Sequence, residues 1–367
     1  GIICSFFTAV YLTRIIFIAF GKKKAFQKLT FSTGLSRNLF NSTNFNFLGA
    51  RKVSFMVVGV FVAVVVISLF VRGLNQGIDF SGGRNYVVKF EKPVETGHLQ
   101  QVLTPMFNQN GEVASVSVIT IENSNQVRVS TNYKIKSTED ASAIEGEITN
   151  LLYETFKAEG LLPDGMTLEE FSTTDETQGI LSSQTVGPTV ANDMRNKAYI
   201  AVILSLIAMF LYILLRFRNV AFSLGALAAV AFTAFTIIGF YSLFWGILPF
   251  AMEIDQTFIA AILTIIGYQI NDTVVVFDRV RENVGLYPKQ DFFTTVNKSL
   301  NSTLTRTIMT SASTLLVLLC IFILGGDSIR SFIFAMLFGV ITGTLSTLFI
   351  ASPVAYLTNK RKVAAAK

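Results

Sequence analysis

Val53–Val71 reads VSFMVVGVFVAVVVISLFV, nineteen residues without a single charged side chain. About 18 uncharged apolar residues suffice to cross a bilayer as a helix, and nineteen extend about 28 Å at 1.5 Å per residue. Arg51 and Lys52 precede the run, and behind them lie Lys22, Lys23, Lys24, Lys28 and Arg37, with no acid anywhere in residues 21–52. Beyond Val71 the sign reverses: residues 72–197 hold 17 acidic and 10 basic side chains, while the rest of the chain holds 7 and 20. Short cytoplasmic loops carry excess Lys and Arg, so residues 21–52 are placed inside and 72–197 outside.

Working outward, further apolar runs occupy Gly1–Phe20, interrupted by Arg14, then Ala198–Leu215, Val220–Tyr241, Gln256–Val280, Thr307–Leu324 and Ser331–Leu357. The expectation is seven spanning helices. The remaining loops keep the same orientation: Arg216 and Arg218 inside, Glu253 and Asp255 outside, Arg279–Arg306 inside, Gly325–Arg330 outside, and the basic tail 358–367 inside. The domain division that follows is 1–20, a first membrane helix; 21–52, a cytoplasmic linker; 53–71, the next span; 72–197, an outer domain; and 198–357, five further spans. Only 15% of the 367 residues are charged, against roughly 25% in a soluble domain, which argues against a soluble enzyme. The net charge of +6 divides between membrane flanks rather than gathering on one folded surface, so a nucleic-acid partner is set aside. Cys4 and Cys320 both fall in apolar runs and form neither a disulfide framework nor a zinc pattern. The chain opens on Gly1 with neither an initiator Met nor a signal-peptide start, and the expectation is a piece of a longer polypeptide.

The outer segment alternates strand and helix signals. Strands are expected at Asn85–Phe90, Val113–Ile121 and Gln126–Tyr133. Helices are expected at Gly97–Phe107 and at Ser137–Glu159, the latter capped by Ser137, and a last strand at Met166–Thr173. That order is a split βαβ, ferredoxin-like α+β unit. Gln184–Ala191 reads as a turn-rich linker around Gly187 and Pro188, and Arg72–Gln76 and Gln184–Pro188 are candidate hinges. The fold class is therefore a polytopic α-helical membrane protein with an inserted outer α+β domain.

One span differs chemically. Thr264–Asn283 reads TIIGYQINDTVVVFDRVREN, with Asp272 and Asp278 following sixteen uncharged residues. A carboxylate at the centre of a span costs roughly 2.5–3.5 kcal/mol on insertion scales and marks a functional site by default. Asp278 stands beside Arg279, Arg281 and Glu282, where an interfacial salt bridge explains it as well as a functional role does. Asp272 lies six residues deeper, about 9 Å. It is either a proton site or a carboxylate held permanently by hydroxyls such as Thr273 or Thr303, and the first reading is preferred. Arg306, which opens RTIMTSAST, is the best cation for it, with snorkelling to the headgroups as the equal alternative. Asn271, Thr273, Thr310 and Ser311 form a candidate polar path, although membrane hydroxyls also serve as interhelical glue. Gly339 and Gly343 suit close helix packing. The chain has no phosphate-binding loop, no HExxH and a single histidine, His98, read as a solvated helix residue. No metal site and no cofactor are expected, and the energy source is an ion gradient. Gly343–Ala351 (GTLSTLFIA) also echoes Gly1–Ala9 (GIICSFFTA), as in transporters built from repeats.

Gly77–Gly83 (GIDFSGG), Val186–Arg195 (VGPTVANDMR), Ile270–Asn283 (INDTVVVFDRVREN) and Arg306–Ser313 (RTIMTSAS) together resemble bacterial SecF, a member of the RND superfamily, over about residues 50–360. Gly1–Phe20 resembles the last transmembrane helix of SecD, so the resemblance extends to a fused SecDF. It implies an inner-membrane subunit with a periplasmic domain that promotes polypeptide export, with protons as the coupling ion. The implied partners are the SecYEG channel, a SecD half in the same chain, YajC and YidC, the exported unfolded polypeptide and membrane lipid. Carried over residue by residue, the family's membrane proton site falls on Asp272, with Asp278 secondary, and on Arg306. Gln269 stands where a small residue is expected. Gly77, Asp79, Gly82, Gly83, Gly187 and Pro188 carry the structural motifs. Two rival readings stand beside this one: an RND-type exporter of lipid or small molecules, and a passive scaffold that uses no protons.

Overall fold

The computed structural model describes residues 2–21, 44–108, 114–121, 125–135, 137, 140–173, 178–248, 250 and 252–365. The chain divides into two compact units, Gly1–Asn44 and Phe45–Lys367. The first contains α1 (Ile2–Phe6), a π-helical turn at Phe7–Leu12, and α2 (Thr13–Phe20). Its apolar stretch Phe7–Phe20 is shorter than a full span. Among the described residues six helices, not seven, are long and apolar enough to cross a membrane. Most of the basic linker, residues 22–43, lies outside the described residues.

In the second unit the spans are α3 (Arg51–Val71), α8 (Pro188–Phe217), α9 (Val220–Phe244), α10 (Gln256–Leu286), α11 (Phe292–Leu324) and α12 (Asp327–Ser346), the last continued by a π turn at Thr347–Ala351 and by α13 (Ser352–Ala365). Before α3, the backbone of Phe45 is clasped by Asn297 and Asn301 of α11 at 2.9–3.0 Å. Lipid is as apolar as leucine, so packing and buried polar contacts hold such helices together. The most enclosed span, α9, shows both. A Cβ at Gly225 would press on the Ala351 carbonyl and one at Gly239 on Val65, so glycine lets α9 approach its neighbours there. Ser242 Oγ lies 2.9 Å from Ser68 Oγ of α3 and also donates to the Gly73 carbonyl. Gly339 packs a Cβ-sized gap against Ile265 and Ile237, as a packing glycine should, whereas Gly343 rests at ordinary contact distance from Gln269.

The outer domain comprises α4 (Ile78–Ser81), β1 (Gly83–Lys89), α5 (Thr96–Phe107), β2 (Val116–Ile121), β3 (Gln126–Thr131), α6 (Ala141–Ala158), α7 (Leu168–Ser172) and β4 (Gly179–Val186). The sheet runs β2-β3-β1-β4, antiparallel throughout, which is the expected split βαβ arrangement. Tyr86, Val88, Val127 and Val129 from the sheet bury against Leu99, Leu103 and Phe107 of α5 and Ile148, Leu152 and Phe156 of α6.

Three expectations for the outer domain are corrected. Met166–Thr173 is not the last strand: Thr167 and Glu170 form a capping box that starts α7, and the strand is β4. Gln184–Ala191 is not a turn-rich linker, because Gln184–Val186 belongs to β4, Gly187 is the N-cap of α8, and Pro188 occupies its first turn. Proline fits there because its missing N–H would have no helical partner anyway. Helix α6 begins with Asp140, not Ser137, at the N-cap. His98 is exposed and 2.8 Å from Glu159, and both cysteines are free.

Candidate functional site

The polar heart of the bundle is built on α10, whose outer end is fixed before its middle becomes interesting. Asp255 caps the helix, its Oδ1 accepting the Phe258 N–H at 2.8 Å, and Asp79 Oδ2 accepts the Gln256 N–H at 3.2 Å. Carboxylates at a helix N-terminus are favoured by the unpaired amides and the helix dipole. The stretch that carries Asp79 is tied to the same place: the Gly77 N–H donates to the Ile254 carbonyl at 3.1 Å, and the Ile254 N–H to the Asn75 carbonyl at 2.8 Å. Gly82 turns the chain with φ of 76°, a conformation that favours glycine. A Cβ at Gly83 would fall 2.7 Å from the Thr131 carbonyl. GIDFSGG is thus the joint between the outer sheet and the start of α10. Glu253, just before that start, meets the Ser117 hydroxyl of β2 and faces Arg128 of β3; burial pushes its carboxyl above the usual range, as it does for Asp255.

Further in, Asp272 is half-buried between α10 and α11. Its Oδ1 accepts from Thr307 Oγ1 at 2.8 Å, and its Oδ2 is buried without a hydrogen-bond partner among the described residues. The hydroxyls expected to hold it are engaged elsewhere: Thr273 bonds the Gln269 carbonyl and Thr347, and Thr303 bonds the carbonyls of its own helix. No ion pair joins Asp272 to Arg306 among the described residues, although Arg306 is near enough to act on it through space. The reason is geometric, since adjacent helix residues point about 100° apart: with Thr307 aimed at Asp272, Arg306 is turned aside and exposed.

Three residues before Asp272 and on the same helical face, Gln269 donates from Nε2 to Ser346 Oγ at 2.7 Å, and Ser346 meets Thr233 at 2.8 Å. The Gln269 Oε1 is buried and unpartnered among the described residues. Ser311 lies 2.7 Å from Thr344. The candidate path therefore splits. Thr273 and Ser311 are interhelical glue to the last span, whereas Asn271 and Thr310 are exposed on the outside of the bundle. The partners Thr344, Ser346 and Thr347 were missed, although TLST at 344–347 places three hydroxyls within one helical turn.

At the inner end Asp278 is held by Arg216 of α8 at 2.9 Å, and Arg281 approaches it at 3.3 Å without hydrogen-bond alignment. Arg279 pairs with Glu282 at 2.7 Å. Asp278 is the interfacial salt bridge, in the same cavity as Arg306 and apart from the Thr307 contact of Asp272.

The comparisons with known proteins fit this geometry. Residues 167–361 match the model of the protein export membrane protein SecD/SecF, C-terminal family, and residues 67–94 match the SecD/SecF GG motif. A protein translocase subunit SecF from Rhodothermus marinus is 36% identical over 86% of this chain and 94% of its own length, and one from Petrotoga mobilis is 35% identical over 87% and 97%. The crystal structure of SecDF, a translocon-associated membrane protein from Thermus thermophilus, aligns with a TM-score of 0.68 at 30% identity over 87% of this chain. The chain spans 39% of that longer protein. With the family model covering more than half the sequence and the motif joint and inserted sheet in place, the chain belongs to the SecF family of protein translocase subunits.

Proposed function

We propose that this translocase subunit couples proton movement to polypeptide export, with Asp272 as the group that takes and releases the proton. The observation that carries this is the buried Oδ2 of Asp272, which among the described residues has no partner and lies beside a single hydroxyl donor. Buried polar atoms are nearly always hydrogen-bonded, so an unpaired carboxylate oxygen this deep in a span calls for an explanation, and reversible protonation supplies one. A proton crossing gains about 2.3 kcal/mol per 100 mV, enough to bias a two-state bundle more than tenfold. The path of that bias to the outer domain is α10 itself, tied at its N-terminus to Asp79 and facing β2 through Glu253. Arg306 serves as the nearby charge that answers Asp272 when the helices shift.

Thr264 and Asn271 of α10 and Thr310 and Ser313 of α11 are polar yet exposed within apolar spans. Such groups face protein or water rather than lipid, which supports a SecD-like partner half docked on this face. Membership of a family of Sec translocase subunits supports the Sec machinery as partner, and within it we propose the SecYEG channel, with YajC and YidC beside it and the exported chain on the periplasmic side. The exporter alternative is disfavoured by an outer domain whose interior is filled by Tyr86, Phe107, Phe156 and Phe171.

The test is precursor accumulation of a secreted protein in cells whose sole copy of the full-length protein carries Asp272→Asn at normal level. Accumulation equal to that of a deletion is expected. Wild-type export would make Asp272 structural and favour the scaffold alternative.

A further inference from the structure

The inner end of the bundle holds a feature that neither export nor proton coupling explains. An open cavity of about 780 Å³ lies between the end of α8, the last turns of α10 and the first half of α11, and Arg216, Arg279, Arg281 and Arg306 line it with only Asp278 and Glu282 as acids among its lining residues. Four guanidiniums against two carboxylates leave two positive charges in excess. The carboxylates are also spoken for unevenly: Asp278 serves Arg216 and Arg281 together, Glu282 serves Arg279, and Arg306 has no ion pair or side-chain hydrogen bond among the described residues. A guanidinium fork matches the oxygens of a phosphate two at a time, so the chemistry asked for is a phosphate anion.

The level and the mouth of the cavity identify its source. Arg216 is the first charge after the apolar run Ala198–Leu215, and Arg306 the last before Thr307–Leu324, so both stand where the hydrocarbon ends and the inner headgroups begin. Leu286 lines the cavity, and Leu211 and Leu215 of α8 expose their side chains immediately outward of Arg216. An acyl chain can lie on that surface while its headgroup enters. Basic pockets between spanning helices on the cytoplasmic side bind anionic headgroups.

We propose that this cavity is a binding site for the phosphate headgroup of an anionic phospholipid of the inner leaflet. The proposal stands apart from the proton reading of Asp272, because its ligand bonds come from Arg216, Arg279 and Arg281 as well as Arg306. Phosphate oxygens would replace part of the Asp278 interaction with Arg216 and Arg281, so the site is strongest where that carboxylate is weakest.

The test uses the full chain, purified in mild detergent and exchanged against phosphatidylglycerol or phosphatidylethanolamine, with bound lipid counted by native mass spectrometry. The wild type should retain phosphatidylglycerol over phosphatidylethanolamine by about tenfold, the change expected from one charge-assisted bidentate contact, and Arg216→Gln with Arg281→Gln should erase the preference. Asp278→Asn frees both guanidiniums and should raise phosphatidylglycerol retention severalfold, which keeps the proposal testable if the double variant does not fold. Millimolar inorganic phosphate should leave the lipid in place. Displacement by inorganic phosphate would make this a soluble-phosphate site and overturn the lipid assignment. Equal retention of the two lipids, or a preference indifferent to all these substitutions, would overturn the site itself.

Discussion

Asp272 and Asp278 stand six residues apart on one helix, yet their surroundings are opposite. Among the described residues each has one buried oxygen without a hydrogen-bond partner, but Asp278 is reached by two guanidiniums at the edge of the membrane and is about one-third exposed, while Asp272 lies deeper with one hydroxyl donor and no ion pair. The difference teaches which carboxylate is free to change. An ion pair open to solvent contributes about 0–1 kcal/mol, so nature can keep or lose Asp278 cheaply. A buried carboxylate with half its bonds missing costs stability and is retained for what it does.

The sharpest way to break this contrast is to neutralise each acid in turn. Asp272→Asn should abolish proton-dependent export, whereas Asp278→Asn should retain most of it and change thermal stability by under about 1 kcal/mol. Equal loss in both, measured as precursor accumulation at matched protein levels, would erase the distinction. The next effect in size concerns Thr307, the one hydroxyl that bonds Asp272 among the described residues. Thr307→Val removes a hydrogen bond to a charged group, worth about 1.5–3 kcal/mol, and should slow export severalfold, while Thr307→Ser keeps the donor and should restore it. If valine and serine behave alike, the hydroxyl is packing and the bare oxygen loses its meaning.

How far this contrast could be seen in advance depended on the physics each feature uses. Spans, orientation and the depth of Asp272 follow from hydropathy and charge, which a sequence displays directly, and the order of the outer domain followed from alternation in β1, β2 and β3. The errors arose where polarity hides structure. Pro188–Lys197 and Phe292–Arg306 are helical extensions beyond the apolar runs, and hydropathy registers only the part of a helix that meets lipid. Ser182–Thr185 lie exposed on the edge strand β4, so no apolar alternation announced them, and the TLEE capping box that did announce α7 was passed over. The partner of Asp272 was missed for a different reason: whether Thr307 or its neighbour Arg306 faces α10 depends on helix rotation, which the spacing of one helix alone does not fix.

A third carboxylate extends the comparison beyond the membrane, with the smallest expected effect. Glu253 precedes α10 on the outer side and meets Ser117 and Arg128 of the sheet; burial raises its pKa most, the nearby Asp255 and Asp79 raise it further, and Ser117 and Arg128 oppose them. A carboxyl whose pKa is higher in the docked state than in the free chain binds a proton on docking. Docking is therefore tightest below the ordinary carboxylate range and weakens as pH rises through the raised value, when the charged form must be held beside two other acids. Spin labels at Lys92 and Ile247, on the outer domain and on the loop before α10, should report a distance distribution that broadens with rising pH. Glu253→Gln should remove a few-fold shift between the docked and loosened populations and leave the distribution narrow throughout. A distribution that broadens identically in the variant would transfer the pH dependence to Asp255, and would leave α10 with a single titrating link to the outer domain at its cap.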